Sequence, residues 1–134
     1  MKKQEFNQEI SSLTELLKNK FPSTLTKRIE LDDQFFIAAQ QFANETLDFS
    51  YYSELEQIVN ISKNKGIIKK IDVSQNRNLT ELTFPNQKLV RLDLNNNKKL
   101  TALNVSNNQL AGLNLDQNFR LEHLNVADNE ITGV

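Results

Sequence analysis

The chain has 134 residues, a formal net charge of −1, one histidine and no cysteine. This charge argues against wholesale binding to nucleic acid or to an anionic membrane, which requires clustered positive charge. The cysteine and histidine counts exclude a disulfide framework, a thiolate zinc site, a cysteine nucleophile and a multi-histidine metal site within one chain. We therefore predict no catalytic residue, no metal site and no cofactor. The unusual feature is the supply of 19 leucines and 18 asparagines.

The first residues do not resemble a targeting segment. Lys2 and Lys3 are followed by a polar stretch where a signal peptide has its apolar core. No apolar run approaches the roughly 20 residues of a membrane span. The sequence therefore predicts a cytoplasmic protein, and a surface or secreted location would require an export signal outside these residues.

An amphipathic helix is predicted over residues 4–19, ended by Pro22. Its apolar side chains recur at helical spacing: Phe6, Ile10, Leu13 and Leu17. A shorter helix over residues 23–30 is expected to follow, with Leu25 and Ile29 facing inward.

Residues 32–46 fit two patterns. Apolar residues recur there at helical spacing, after Asp32 or Asp33 as a candidate N-cap. These apolar residues are Phe35, Ala38, Ala39, Phe42 and Ala43. However, Ile37 lies ten residues before Leu47, which fits the repeat of the following segment. We favour the helix, and a first divergent repeat stays open as the alternative.

A repeat organises the rest of the chain, and each period contains two similar halves. The complete pattern of one half is Leu100-x-x-Leu103-x-Val105-x-x-Asn108-x-Leu110. The anchors of this half are 21 residues apart, at Leu82, Leu103 and Leu124. The anchors of the other half have the same spacing, at Ile71, Leu92 and Leu113.

These copies resemble the leucine-rich repeat, L-x-x-L-x-L-x-x-N-x-L, in its short 21-residue bacterial or internalin-like form. The copy that begins at Leu79 departs from the consensus with Gln87 at the asparagine position. The resemblance implies an α/β fold, a right-handed solenoid of parallel strands with an N-terminal helical cap. We expect the cap region over residues 1–46 and the repeats over 47–134, with a three-residue insertion near residues 62–66.

The pattern also has a physical basis of its own. Residues two apart in a strand face the same side, so Leu103 and Val105 point into a core and Asn104 points outward. An amide side chain at each bend can satisfy backbone groups that the turn would otherwise bury unpaired. We therefore predict a structural amide ladder with these members: Asn76, Gln87, Asn97, Asn108, Asn118 and Asn129.

Leucine-rich repeat proteins usually recognise other proteins through the strand face. The resemblance therefore implies a non-enzymatic protein–protein interaction module, with no nucleic-acid or membrane partner. Carried over to this chain, the outward positions are Glu81, Thr83, Pro85, Ala102, Asn104, Ser106, His123, Asn125 and Ala127. The alternative is the repeat portion of a larger regulatory or effector protein. Its activity would then lie outside these residues or in an N-terminal adaptor helix domain.

Two surface features complete the sequence predictions. The pattern runs without a cap to Val134, which favours a fragment of a longer array, or else self-association through the uncapped last coil. Stacking of the repeats also aligns Arg77 with Lys98, and Lys99 with Arg120. We interpret this basic strip as a solvated edge, because Asp72 and Asp93 stack in a neighbouring column and offset much of its charge, and because no aromatic residues interleave with it for nucleic-acid stacking.

Overall fold

The computed structural model describes residues 9–132 as two short helices and seven short parallel-paired strands. The helices are α1 (Leu13–Lys20) and α2 (Asp33–Ala39), and a 3₁₀ turn (Gln40–Phe42) follows α2. The strands are β1 (Arg28–Leu31), β2 (Leu47–Asp48), β3 (Gln57–Asn60), β4 (Ile71–Asp72), β5 (Glu81–Thr83), β6 (Ala102–Asn104) and β7 (His123–Asn125). Neither helix is long and apolar enough to cross a membrane.

The main sheet has five strands in the order β1-β3-β5-β6-β7, and every neighbouring pair is parallel. One apolar residue of each strand lies beside its counterpart in the next: Ile29, Ile58, Leu82, Leu103 and Leu124. The 21-residue spacing of the last three is the spacing that the sequence predicted for these anchors. The chain is therefore a solenoid, in which each coil adds one strand to the sheet.

A second, two-stranded sheet pairs β2 with β4 on another side of the solenoid. Leu47 lies beside Ile71 there, and Ile58 lies beside Leu82 in the main sheet, so both pairs are 24 positions apart. This coil is three residues longer than the later ones. Its additional loop contacts α2, where the Ser62 hydroxyl donates a hydrogen bond to the Asp33 carboxylate.

The apolar core runs through the middle of the coils. Leu82, Leu100 and Val105 are fully buried, as are Phe49 and Tyr52 in the earlier coils. Burial decreases in the last coil, where Leu124 is 51% exposed whereas Leu103 is 2% exposed. Since each coil buries its apolar side chains against the next one, residues facing the open side of the last coil remain in contact with solvent.

Within the described residues the first helix begins at Leu13, so residues 9–12 of the predicted helix are not helical, and residues 4–8 lie outside the described part of the chain. Helix α1 begins after Ser12, whose hydroxyl accepts a hydrogen bond from the Glu15 backbone N–H, so that Ser12 acts as the N-cap. Leu13 and Leu17 are fully buried. Ile10 packs against the core from outside the helix, and Phe6 lies outside the described residues.

The predicted helix over residues 23–30 is wrong, because residues 28–31 form β1. Ile29 and Leu31 are buried while Arg28 and Glu30 are exposed, which is the alternation of a strand. Leu25, predicted to face inward, is 68% exposed. Pairing with β3 decides the conformation of this segment, since strand formation depends on neighbours that are distant in sequence.

Residues 32–46 contain α2 and the 3₁₀ turn. The Asp32 carboxylate accepts a hydrogen bond from the Phe35 backbone N–H and caps the helix. Phe35 and Phe42 are buried, whereas Ile37 is 62% exposed and so occupies no anchor position. Helical spacing, and not the repeat, describes the burial of this segment.

The buried amide side chains form two different ladders. In one, each Asn Nδ2 donates to two backbone carbonyls of the preceding coil, as Asn97 does to Val73 and Asn76, both at 3.0 Å. Asn76 and Asn118 make the equivalent bonds. Their Oδ1 atoms have no hydrogen-bond partner among the described residues. This first ladder therefore works only as a set of donors.

The second ladder donates and accepts. Asn108 Nδ2 donates to the Phe84 and Val105 carbonyls, and its Oδ1 accepts from the Leu89 backbone N–H. Asn129 does the same for Val105, Val126 and Leu110. Gln87 only accepts, from the Ile68 N–H at 3.2 Å, because its Nε2 has no hydrogen-bond partner among the described residues. Its longer side chain occupies the space beside Gly66, where a Cβ atom would overlap the amide.

Candidate interaction surface

The outward face of β5, β6 and β7 brings the sequence-predicted binding residues into aligned columns. Strand pairing places Glu81 beside Ala102 and Ala102 beside His123. It also places Thr83, Asn104 and Asn125 side by side in a second column. Alternation along each strand explains this arrangement, because the central leucine points into the core and its two neighbours point outward.

The remaining predicted residues follow the strands at one edge of the same face. Backbone N–H groups join this edge between coils, since Asn86 donates to the Ser106 carbonyl and Asn107 donates to the Ala127 carbonyl. Pro85 also contributes its carbonyl, which accepts a hydrogen bond from Asn60 Nδ2 at 2.9 Å. Backbone bonds therefore fix these residues in position relative to the strands.

The amides of Asn104 and Asn125 have a structural task within this surface. Asn104 Oδ1 accepts from the Ser106 backbone N–H at 3.0 Å and from the Ser106 hydroxyl at 2.8 Å. Asn125 Oδ1 accepts from the Ala127 backbone N–H at 3.1 Å. Each side chain thus closes a turn after its strand. In the first column, the exposed His123 side chain is freer than these asparagines to contact a partner.

One strand of the face, β1, was missed in the sequence, and the outward residues of β3 were not among the predicted binding residues although the repeats were expected over 47–134. β1 and β3 contribute Arg28 and Gln57 to the first column and so extend it over five strands. Arg28 Nη1 donates to Gln57 Oε1 at 2.8 Å, and Gln57 Nε2 donates to Glu81 Oε1 at 3.3 Å. Five strands span roughly 19 Å. The alternation of polar and apolar residues in 28–31 was the available signal, and the expected helix concealed it.

The charge of this column changes along the solenoid. At the first strand Arg28 also contacts Glu30 at 2.9 Å, an ion pair with both side chains about half exposed and therefore weakly stabilising. The third strand contributes the acidic Glu81 to this column. The fourth strand contributes the uncharged Ala102. His123 lies exposed on β7. Within residues 9–132, no group of three histidine or carboxylate side chains is arranged to hold a metal ion.

Parallel strands in successive coils, leucines inside the coils and buried amides at the bends define this fold as a leucine-rich-repeat-like solenoid with a helix near its N-terminus. No family model and no curated protein matches the chain. Among solved structures, it is similar to the functional domain of InlJ from Listeria monocytogenes, with 31% identity and a TM-score of 0.59. The match covers 66% of this chain and 19% of that chain.

The functional domain of InlJ includes a cysteine ladder. The present chain has no cysteine, so the resemblance does not extend to that feature. The repeat consensus accepts either asparagine or cysteine at the bend, and this chain has asparagine or glutamine there. Its coils are joined at these positions by amide hydrogen bonds to backbone carbonyls.

Proposed function

We propose that the chain is a non-enzymatic protein-interaction module that binds its partner through the outward face of the main sheet. The continuous five-strand parallel sheet is the observation that carries this proposal, since it presents outward side chains in fixed columns. A solenoid of this kind commonly serves as a protein-binding surface. Because backbone pairing already holds the columns in place, ordering them on binding costs little conformational entropy.

The proposal is tested by placing a photo-crosslinking residue at Ala102, in the centre of the face. The matched control carries the same residue at Gly112, an exposed position outside the five strands where an added side chain meets no neighbour. We expect a specific adduct only from position 102 in an extract of the source cells, identified by mass spectrometry. Equal adducts from both positions would contradict the assignment of the face.

Binding of the identified partner is then measured with the variants Ala102→Arg and Gly112→Arg. The first should weaken affinity at least about tenfold, because a charged side chain is forced into the centre of the contact. The second should bind like the unmodified chain. If Ala102→Arg retains full affinity, the interaction uses another surface.

We also propose that the helical N-terminal segment acts as the cap of this solenoid and that the repeats are of the short 21-residue, internalin-like type. Burial of Leu13 and Leu17 supports the capping role. The Tyr52 hydroxyl supports it too, since it donates to the Leu17 and Phe21 carbonyls at the end of α1. These contacts favour a cap over an independent adaptor domain.

The second candidate is a role as the repeat portion of a larger regulatory or effector protein. The coverage of 19% of the InlJ chain supports it, because that similar structure continues well beyond the length of the match. Appending the chain to an unrelated soluble domain and measuring partner binding would test it. If the fusion binds the partner with the affinity of the isolated chain, the chain is a self-sufficient binding module. If the fusion does not bind the partner, the function depends on further sequence.

A further inference from the structure

One corner of the solenoid carries basic and aromatic side chains outside the main sheet. We call it the corner patch, and its members are Arg77, Lys98, Lys99, Phe119 and Arg120. All five are exposed. They occupy equivalent positions in three successive coils, immediately after the donor asparagines of the first ladder.

The buried ladder holds this corner in one conformation. Each coil makes the same turn, in which the leucine three residues after the asparagine donates its backbone N–H to the asparagine carbonyl. Asn118 Nδ2 donates to the Asn97 carbonyl, and Asn97 Nδ2 donates to the Asn76 carbonyl. The three turns are thereby stacked at about 4.8 Å per coil. The corner patch consequently lies on a rigid framework of roughly 10 Å.

Phe119 is the informative member of the patch. It is 73% exposed, more than Leu124 at 51%, although Leu124 belongs to the last coil and faces its open side. Arg77 and Lys98 occupy the same position in the two preceding coils, so the turn itself does not require an aromatic residue. A single aromatic side chain therefore lies within the basic strip.

No basic side chain of the patch forms an ion pair with a carboxylate within residues 9–132, where Arg28 and Glu30 form the one ion pair. Lys99 Nζ donates instead to the neutral amide of Asn78 at 2.9 Å. Asp116 and Glu122 are the nearest acidic residues in sequence to Phe119. The whole chain has a net charge of −1, so four positive charges at one corner are a local concentration.

We propose that the corner patch binds an acidic protein segment that presents an apolar side chain to Phe119. Aromatic residues and arginine are enriched among the residues that dominate protein–protein affinity. Successive bases of a nucleic acid need several aromatic platforms, and this patch has one. Stable attachment to an anionic membrane needs a longer basic cluster or more apolar side chains. An acidic protein segment fits the charge and the single exposed ring.

The test measures binding of a labelled peptide in which glutamates flank a central pair of leucines. We expect the unmodified chain to bind it at low ionic strength and more weakly as salt is added. The double variant Lys98→Ala/Lys99→Ala should weaken binding about tenfold or more. Phe119→Ser should weaken binding of this peptide. It should not change the binding of a second peptide that has serines in place of the leucines.

Two control variants keep the result specific. Lys63→Ala/Lys65→Ala removes the same charge from an exposed loop in another coil, and it should bind the peptide like the unmodified chain. Ala102→Arg alters the outward face of the main sheet and should also leave peptide binding unchanged. The corner patch and the proposed strand face are therefore tested separately, and either can fail alone.

Three outcomes would overturn the proposal. The first is peptide binding that is equally weakened by both lysine pairs, which would show only the effect of net charge. The second is no binding of the peptide at low ionic strength. The third is preferential binding of a single-stranded oligonucleotide or of phosphatidylserine vesicles with the same dependence on Lys98, Lys99 and Phe119.

Discussion

At the scale of single residues, this fold depends on side chains that pair with the backbone of a neighbouring coil. Asn97 is the clearest case, because its Nδ2 donates to two carbonyls of the preceding coil and is fully buried. Asn95 is exposed in the same coil, so identical residue types have different tasks two positions apart. Each of these carbonyls also accepts a backbone N–H, from Asn76 and from Leu79, so the Asn97 amide adds a second bond to both.

We expect Asn97→Ala to lower the free energy of unfolding by about 1–3 kcal/mol, because two buried hydrogen bonds are lost while each carbonyl keeps its backbone N–H donor. Asn95→Ala is the matched control and should change the free energy of unfolding by less than about 0.5 kcal/mol. Urea unfolding followed by circular dichroism measures both values. Equal stability of the two variants would show that the ladder bonds contribute nothing net.

The position of the Gln87 side chain depends on the absence of a side chain at Gly66. A Cβ atom at Gly66 would overlap the Gln87 amide, so Gly66→Ala should displace that side chain from the Ile68 N–H and cost about 1–3 kcal/mol. Gly112→Ala is the control, since an added Cβ there meets nothing within 4 Å. Its effect should be neutral or slightly stabilising.

The glycine and glutamine substitutions should also be coupled. Gln87→Asn shortens the amide and leaves room for a methyl group at position 66, so the double variant should lose less stability than the sum of the two single variants. Strict additivity in urea unfolding would contradict a direct contact between Gly66 and Gln87.

At the scale of elements, the attachment of α1 depends on a tyrosine in the first coil. The Tyr52 hydroxyl donates to the Phe21 carbonyl at 2.7 Å and to the Leu17 carbonyl at 3.2 Å. The adjacent Tyr51 donates to the Pro22 carbonyl from an exposed position. Burial, and to a smaller extent the neighbouring Tyr51, raises the pKa of the Tyr52 hydroxyl well above its ordinary value of 10.0.

We expect Tyr52→Phe to lower the free energy of unfolding by about 1–2 kcal/mol and to speed amide hydrogen exchange in α1. Tyr51→Phe should have a smaller effect, because solvent can replace its exposed bond. Unchanged exchange in α1 for Tyr52→Phe would show that the helix is held by its leucines alone.

The raised pKa of Tyr52 also predicts a dependence on pH. Above about pH 10 the unfolded chain loses this proton first, so stability falls as the pH rises towards the folded-state pKa. Tyr52→Phe removes this contribution, and its difference from the unmodified chain in urea unfolding should shrink between pH 8 and pH 11. Tyr51→Phe keeps Tyr52 and should retain the decline. A constant difference for Tyr52→Phe would contradict the assignment.

At the scale of the whole molecule, the last coil leaves apolar surface and a strand edge in contact with solvent. Leu124 is 51% exposed and Ile131 is 37% exposed, and no strand among residues 9–132 pairs with the outer edge of β7. Such an edge favours pairing with another chain. We propose self-association of the 134-residue chain through this coil.

Leu124→Glu should therefore reduce association, because the carboxylate would be buried in the contact. Leu25→Glu is the control, since Leu25 is 68% exposed and lies before β1 at the other end of the fold. Sedimentation equilibrium at several concentrations should show a dimer for the unmodified chain and for Leu25→Glu, and a monomer for Leu124→Glu. A monomer in all three cases would end this proposal.

The sequence by itself determined the spacing of the last three strands of the main sheet and most of the side chains that face the interior. Leu82, Leu103 and Leu124 align as their spacing predicts, because each coil repeats the same local pattern of strand and turn. Helical spacing likewise predicted that Leu13 and Leu17 share a buried face. Local periodicity carries these features, so they are visible without knowledge of distant contacts.

Only the tertiary structure decided the features that depend on neighbouring coils. Residues 28–31 form a strand because β3 offers a partner 29 positions later, a pairing that no local pattern specifies. Asn104 points outward as expected, yet its amide oxygen is used by Ser106. The exposure of Phe119 likewise emerges from stacking, since a residue type alone does not reveal which side of a turn meets solvent.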